Sequence, residues 1–205
     1  MAYEILNHAQ VDPRRLRALL RLVARQPKAT KKDLFDLLQP PALQPGSAKS
    51  NQEAAQVVLR AAVNCKLVLE LEDDLVALAV PAHRVESAAA FRLCMQEQLL
   101  GIVDDAEPNH LLNLYAAWYA VQDEQVLNLT PDNLARRFND DLFPDASGEE
   151  RAFNTTKLRG WEQWAAFVGW GWSHAVGRTR AVLVPDAHDR LVTVLPAIVR
   201  SALTT

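Results

Sequence analysis

The chain has 205 residues, 49% of them apolar and 23% charged, with a formal net charge of −3. This is globular composition, long enough to bury a core in one large domain or two small ones, and it excludes collagen-like and disordered classes. No apolar run nears the ~18 to 20 residues that span a bilayer, and the start Met1–Leu6 lacks the stretches of a signal peptide, so a cytoplasmic location with no membrane partner is expected.

Asp12-Pro13 opens the first predicted helix with a cap acceptor and a proline at its first position, and Leu16, Leu19, Leu20 and Val23 follow at helical spacing. The opposite side carries Arg14, Arg17, Arg21 and Arg25, a basic stripe along the helix. Pro27 ends it. Thr30 and Asp33 form a capping-box pattern ahead of Leu34, Phe35, Leu37 and Leu38, giving a short second helix that Pro40-Pro41 terminates. Ser50 and Glu53 form another such pattern before a third helix over about 51–64. Its inward positions are Ala54, Ala55, Val57, Val58, Ala61 and Ala62, and its outward positions Gln52, Gln56 and Arg60.

Two short strands, 67–71 and 75–79, then flank the polar turn Glu72-Asp73-Asp74. Three helices followed by a hairpin is the order of a winged helix-turn-helix, whose third helix presents side chains to the major groove while nearby basic groups hold phosphates. Lys49, Gln52, Gln56 and Arg60 have the chemistry for that role, because Gln pairs with adenine edges and Arg with guanine. The arginines of the first helix are suited to phosphates. Four carboxylates at the hairpin, Glu70, Glu72, Asp73 and Asp74, would repel a phosphate backbone, so this lobe is equally suited to contact with another protein.

A helix rich in alanine and leucine over about 86–100 leads to the charged connector 104–108. From Asn109 the apolar residues Leu111, Leu112, Leu114, Tyr115, Trp118 and Tyr119 mark a central helix. Thr130-Pro131 starts another, with Leu134, Phe138 and Leu142 inward. Asn154 or Thr155 caps a helix containing Leu158, Trp161, Trp164 and Val168, which Gly169-Trp170-Gly171-Trp172 interrupts. A hairpin with the basic tip 177–180 follows, and a terminal helix over about 187–203 closes the fold with Leu191, Val194, Leu195, Ile198 and Val199 on one face. Trp161 and Trp164, three residues apart, are expected in the core; Trp172, in a short alternating segment, is the exception. The second lobe therefore reads as a derived winged helix whose DNA-binding candidates are Lys157 and Arg159 on the helix and Arg178 and Arg180 on the wing.

Charge is uneven. Residues 1–66 hold 11 Lys and Arg against 5 Asp and Glu, residues 67–150 hold 4 against 17, and residues 151–205 hold 7 against 3. Two basic ends around an acidic middle suit a polyanion or a charged protein partner. The five histidines, at 8, 83, 110, 174 and 188, form no metal-binding spacing, and phosphate loops and nucleophile elbows are lacking. Cys65 and Cys94 lie inside apolar helical patterns without paired spacing and read as reduced core thiols. No catalytic residue, metal or cofactor is expected.

Leu16 to Arg25, the helix from Ser50 to Cys65 running into Leu67-Val68, Trp161-x-x-Trp-x-x-Phe-Val-Gly-Trp-Gly-Trp172 and the following Val184-Pro185-Asp186 together resemble DpdG-type proteins. These are small winged-helix members of bacterial gene clusters for deazapurine DNA modification and restriction. The resemblance spans most of the chain and implies an accessory DNA-binding or adaptor subunit of a phage-defence assembly, with no catalytic residue to carry over. The expected fold is mostly α with short β-hairpins, as tandem winged helix-turn-helix lobes: 1–80 the first, 81–108 a helical connector, 109–205 the second. The expected function is non-catalytic binding of double-stranded DNA alongside protein subunits of the same system. Protein adaptor is the alternative, and a transcriptional repressor that forms a homodimer through the terminal helix is the third reading.

Overall fold

The computed structural model describes residues 5–40, 52–100, 102, 104, 106–107, 109–145, 153–176, 180–186, 188, 191–192, 195 and 199. They are mostly helical, with two short antiparallel hairpins, and the chain divides into two compact units, Met1–His110 and Leu111–Thr205. The helices of 83–100 belong to the first unit. Among the described residues no helix is long and apolar enough to cross a membrane.

Helix α1 (Pro13–Arg25) organises the first unit. The Asp12 carboxylate accepts from the backbone N–H groups of Arg14 and Arg15 at 2.8 and 3.0 Å, and Pro13 supplies the preset φ of a first helical residue. Leu16, Leu19, Leu20 and Val23 are buried along one side, each contributing about 1.5–3 kcal/mol of apolar burial. At α2 (Lys31–Leu38) the capping box forms in both directions: Asp33 N–H donates to the Thr30 hydroxyl, and Thr30 N–H and O–H donate to the Asp33 carboxylate. Those bonds hold the Asp33 carboxyl below its usual range.

Helix α3 (Glu53–Asn64) starts differently from the sequence expectation. Gln52 is its N-cap residue and its side chain makes no capping bond, so Glu53 is the first helical residue and not the third; Ser50 lies outside the described residues. The Gln39 side-chain oxygen, at the end of α2, accepts from Ala55 N–H at 2.9 Å and so satisfies one of the unpaired donors of the first turn. In return, the Gln52 amide donates to Asp36 on α2 at 2.6 Å. Leu59 is buried with Ala55, Val57, Val58, Ala61 and Ala62, while Ala54 is half-buried.

Strand β1 (Val68–Glu70) pairs antiparallel with β2 (Val76–Leu78), Val68 opposite Leu78 and Glu70 opposite Val76. The chain between α1 and α2 joins this sheet: Thr30 bridges Leu75, and Val76 N–H donates to Ala29 C=O at 3.3 Å. The helix expected over about 86–100 is present from Ala88, and an unexpected short turn precedes it. A single turn, α4 (His83–Glu86), gives way at Ser87, whose hydroxyl accepts from Ala90 N–H and caps α5 (Ala88–Leu100). Buried Asn109 ties three distant segments together by accepting from Ile5 N–H at 2.9 Å and donating to the Cys65 sulfur at 3.6 Å.

The second unit is built around aromatic rings. Tyr115 on α6 (His110–Ala120) stacks on Phe153 with centroids 4.3 Å apart and meets Trp161 edge-on at 4.6 Å; Phe138 on α7 (Pro131–Leu142) lies 4.8 Å away. Polar edges are satisfied locally. Trp161 of α8 (Thr155–Val168) donates to Leu112 C=O at 3.2 Å, and Trp118 donates to Asp141 at 2.9 Å. Asn154, not Thr155, caps α8, and Gly169 ends it at φ 78°, a left-handed position that suits glycine. Leu142, expected inward, is 37% exposed because α7 ends there.

The second hairpin pairs β3 (Gly171–Val176) with β4 (Arg180–Pro185), so the strand already includes Gly171-Trp172 of the segment that interrupts the helix. Gly171 lies so close to β4 that a Cβ there would stand 2.4 Å from the Val184 carbonyl oxygen. Tyr119 O–H donates to Leu183 C=O at 2.8 Å, fastening α6 to this hairpin. Leu191, Leu195 and Val199 are helical, but 47–52% exposed, so these members of the expected terminal apolar face are not in the core; Val194 and Ile198 lie outside the described residues.

Buried Asn139 bonds the Phe153 backbone twice, donating to its C=O at 2.8 Å and accepting from its N–H at 3.2 Å. Asn139→Ala strands two buried backbone groups. The expected loss is about 2–4 kcal/mol in a urea titration of the full chain, and a loss under 1 kcal/mol would show that the clamp contributes little.

Candidate nucleic-acid interface

The basic stripe of α1 is not uniformly exposed. Arg14, Arg21 and Arg25 are exposed, and among the described residues their side chains have no acidic partner. Arg17 is half-buried instead: its guanidinium donates to Val85 C=O at 3.4 Å and to Glu86 C=O, closing the carboxyl end of α4. Helical spacing put Arg17 on the stripe, but the packing of α4 against α1 gives it two backbone acceptors.

On α3 the expected readers divide similarly. Gln56 and Arg60 are exposed on the outward side, whereas the Gln52 amide is committed to Asp36. Lys49 lies outside the described residues. In the second unit Arg159 is exposed and Lys157 half-buried near the start of α8; Arg178 lies outside the described residues and, for Arg180, only the backbone in β4 is described.

The wing carboxylates are partly neutralised from within. Lys31, in the first turn of α2, reaches Glu70 at 3.1 Å and Asp74 at 3.5 Å, and the Glu70 carboxylate holds the ammonium pKa above its usual value. Glu72 and Asp73 are exposed at the tip, where Asp73 and Asp74 both adopt positive φ near 57°. Four carboxylates and one lysine leave the hairpin tip with a net charge of −3, and a phosphate backbone is repelled there.

Sequence reasoning missed Gln39 and Arg17 as internal caps, since each bonds across a tertiary contact that periodicity does not report. Trp161 and Trp164 are in the core at 2% and 0% exposure, while Trp172 is 49% exposed and meets His174 edge-on at 5.3 Å. Burial pushes the Cys65 thiol up to about 12 and raises Cys94 as well. Among the described residues no group of three or more His, Cys, Asp and Glu is placed to hold a metal ion.

These features define a mostly helical chain of two units, each with an antiparallel hairpin, and with exposed basic side chains on α1, α2 and α3 of the first. The chain matches the family model described as DpdG-like over residues 3–205, and it belongs to that family. Membership associates it with the deazapurine DNA-modification system. No curated protein and no solved structure matches it.

Two outcomes follow from these placements. Arg17→Gln should lower stability by about 1–2 kcal/mol through loss of charge-assisted bonds, with duplex-DNA affinity at matched folded fraction unchanged; a loss of affinity alone would return Arg17 to the interface. Native protein at pH 8 should leave both thiols unmodified by iodoacetamide while full unfolding exposes them, because thiolate and access are both suppressed. Rapid labelling of folded protein would contradict the burial.

Proposed function

We propose that the chain is a non-catalytic accessory protein that binds double-stranded DNA within the deazapurine DNA-modification system, with α1 and α3 of the first unit at the interface. The observation that carries the reading is the set of exposed cations Arg14, Arg21 and Arg25 on α1 of a unit whose α3 also exposes Gln56 and Arg60. The arginines suit phosphates, and α3 carries the two residue types able to read base edges. The topology supports the same reading. A strand-like bridge between the first two helices, then a third helix and a hairpin, with the bridge beside β2, is the arrangement of a winged helix-turn-helix. Within it Arg17 and Gln52 stabilise the fold, and the acidic hairpin stays off the DNA. Arg159, exposed on α8, is a further candidate phosphate contact in the second unit. Other protein subunits of the system are its further partners.

A salt titration of duplex binding tests this. Log affinity should fall linearly with log salt, at about −0.9 per phosphate neutralised. Replacing Arg14, Arg21 and Arg25 together by Gln should weaken binding at low salt and make the slope shallower by roughly 2–3. Equal affinity and equal slope in the triple variant would remove α1 from the interface, and absence of duplex binding at low salt would remove the DNA reading itself.

A further inference from the structure

Alternation along the first hairpin divides its side chains between two faces, and the DNA reading uses neither. Val68 and Val76 turn inward and are buried at 1% and 0%. Leu69 and Leu71 stand on the other face and are 52% and 49% exposed. Their cross-strand neighbours are Ala77, opposite Leu69, and Leu75, whose C=O accepts from Leu71 N–H; both are half-buried. Residues two apart on a strand lie about 6.5 Å from one another, so the two leucines and these neighbours form one apolar surface. Leu71 runs directly into Glu72 and Asp73, which are exposed, and one lysine against the four carboxylates of 70–74 leaves that end negative.

We propose that this face docks an amphipathic helix of a partner protein, with aliphatic side chains along one side and Lys or Arg at the end that meets the hairpin tip. The aliphatic residues cover Leu69 and Leu71, and charge complementarity calls for basic residues beside Glu72 and Asp73. A helix fits where an added strand does not. Its backbone is satisfied internally and needs no free sheet edge, whereas strand addition needs one, and Val68 at 1% exposure gives no access to it. The spacing agrees as well, since side chains four residues apart on a helix are separated by about 6 Å, close to the interval between Leu69 and Leu71. The tip disfavours the two other occupants. Phosphates are repelled there, and a second copy docking through the same face would bring like charge to like charge.

The inference stands independently of DNA binding by α1 and α3. Its test uses the full chain and two labelled peptides of about 18 residues, long enough to form helix, with identical composition and the same Lys/Arg cluster in the last turn. In one the leucines make a single stripe at i, i+3, i+4 and i+7; in the other they are spread around the helix. Fluorescence anisotropy should give the striped peptide about tenfold higher affinity or more. Leu69→Ser with Leu71→Ser should weaken it about fivefold or more, and Glu72→Gln with Asp73→Asn should weaken it and flatten its salt dependence. Thermal melts check that both variants fold, and the tip pair, being exposed, reports even if the leucine pair does not fold. Equal binding of the two peptides overturns the proposal, as does wild-type affinity in either folded variant. Loss of duplex-DNA affinity in folded Leu69→Ser, Leu71→Ser protein would assign the face to nucleic acid, and sedimentation showing self-association lost in that variant would assign it to a second copy; either result overturns the proposal.

Discussion

Burial of one side of α1 is the constraint on which the first unit depends. Leu16, Leu19, Leu20 and Val23 are removed from water, and the helix that carries them packs against α2, α3, β2 and α4. Once that side is fixed, helical geometry fixes the rest: Arg14, Arg21 and Arg25 must face solvent, and Arg17, between the two sides, must meet α4. The exposed arginines are thus held by the same packing that builds the core. A basic surface on a rigid helix loses little conformational freedom on meeting an anion.

Lys31 pairs with Glu70 and Asp74 at the hairpin, and among the described residues no ion pair joins those carboxylates to Arg14, Arg21 or Arg25. The reciprocal bonds between α2 and α3, Gln39 to Ala55 and Gln52 to Asp36, orient α3 with Gln56 and Arg60 outward. The second unit uses different means. Its rings around Tyr115 supply the core, and the phenol, deeply buried among them, has its pKa raised by that burial. Asn139 and Tyr119 then fasten the flanking backbone at Phe153 and Leu183.

Features coded by neighbouring residues were legible in the sequence. Asp12-Pro13, Thr30 with Asp33, Thr130-Pro131 and Asn154 each cap a helix through side chains two or three residues from their targets, and each is found. The buried tryptophans of α8 and the two hairpins follow from spacing as well. What escaped is tertiary. Gln39 caps α3 from sixteen residues away, Arg17 finds carbonyls nearly seventy residues on, and the break at Ser87 hides in an alanine-rich run whose composition favours unbroken helix. Of the eleven residues expected to contact DNA, Arg14, Arg21, Gln56, Arg60 and Arg159 are exposed; Arg17 and Gln52 are used by the fold.

Hydrogen exchange of the full chain with and without duplex DNA at low salt addresses the central claim most directly. Slowed exchange at the amides of α1 and α3, with residues 70–74 unchanged, is the predicted pattern. Slowed exchange at the acidic hairpin with no change in α1 or α3 would contradict the account.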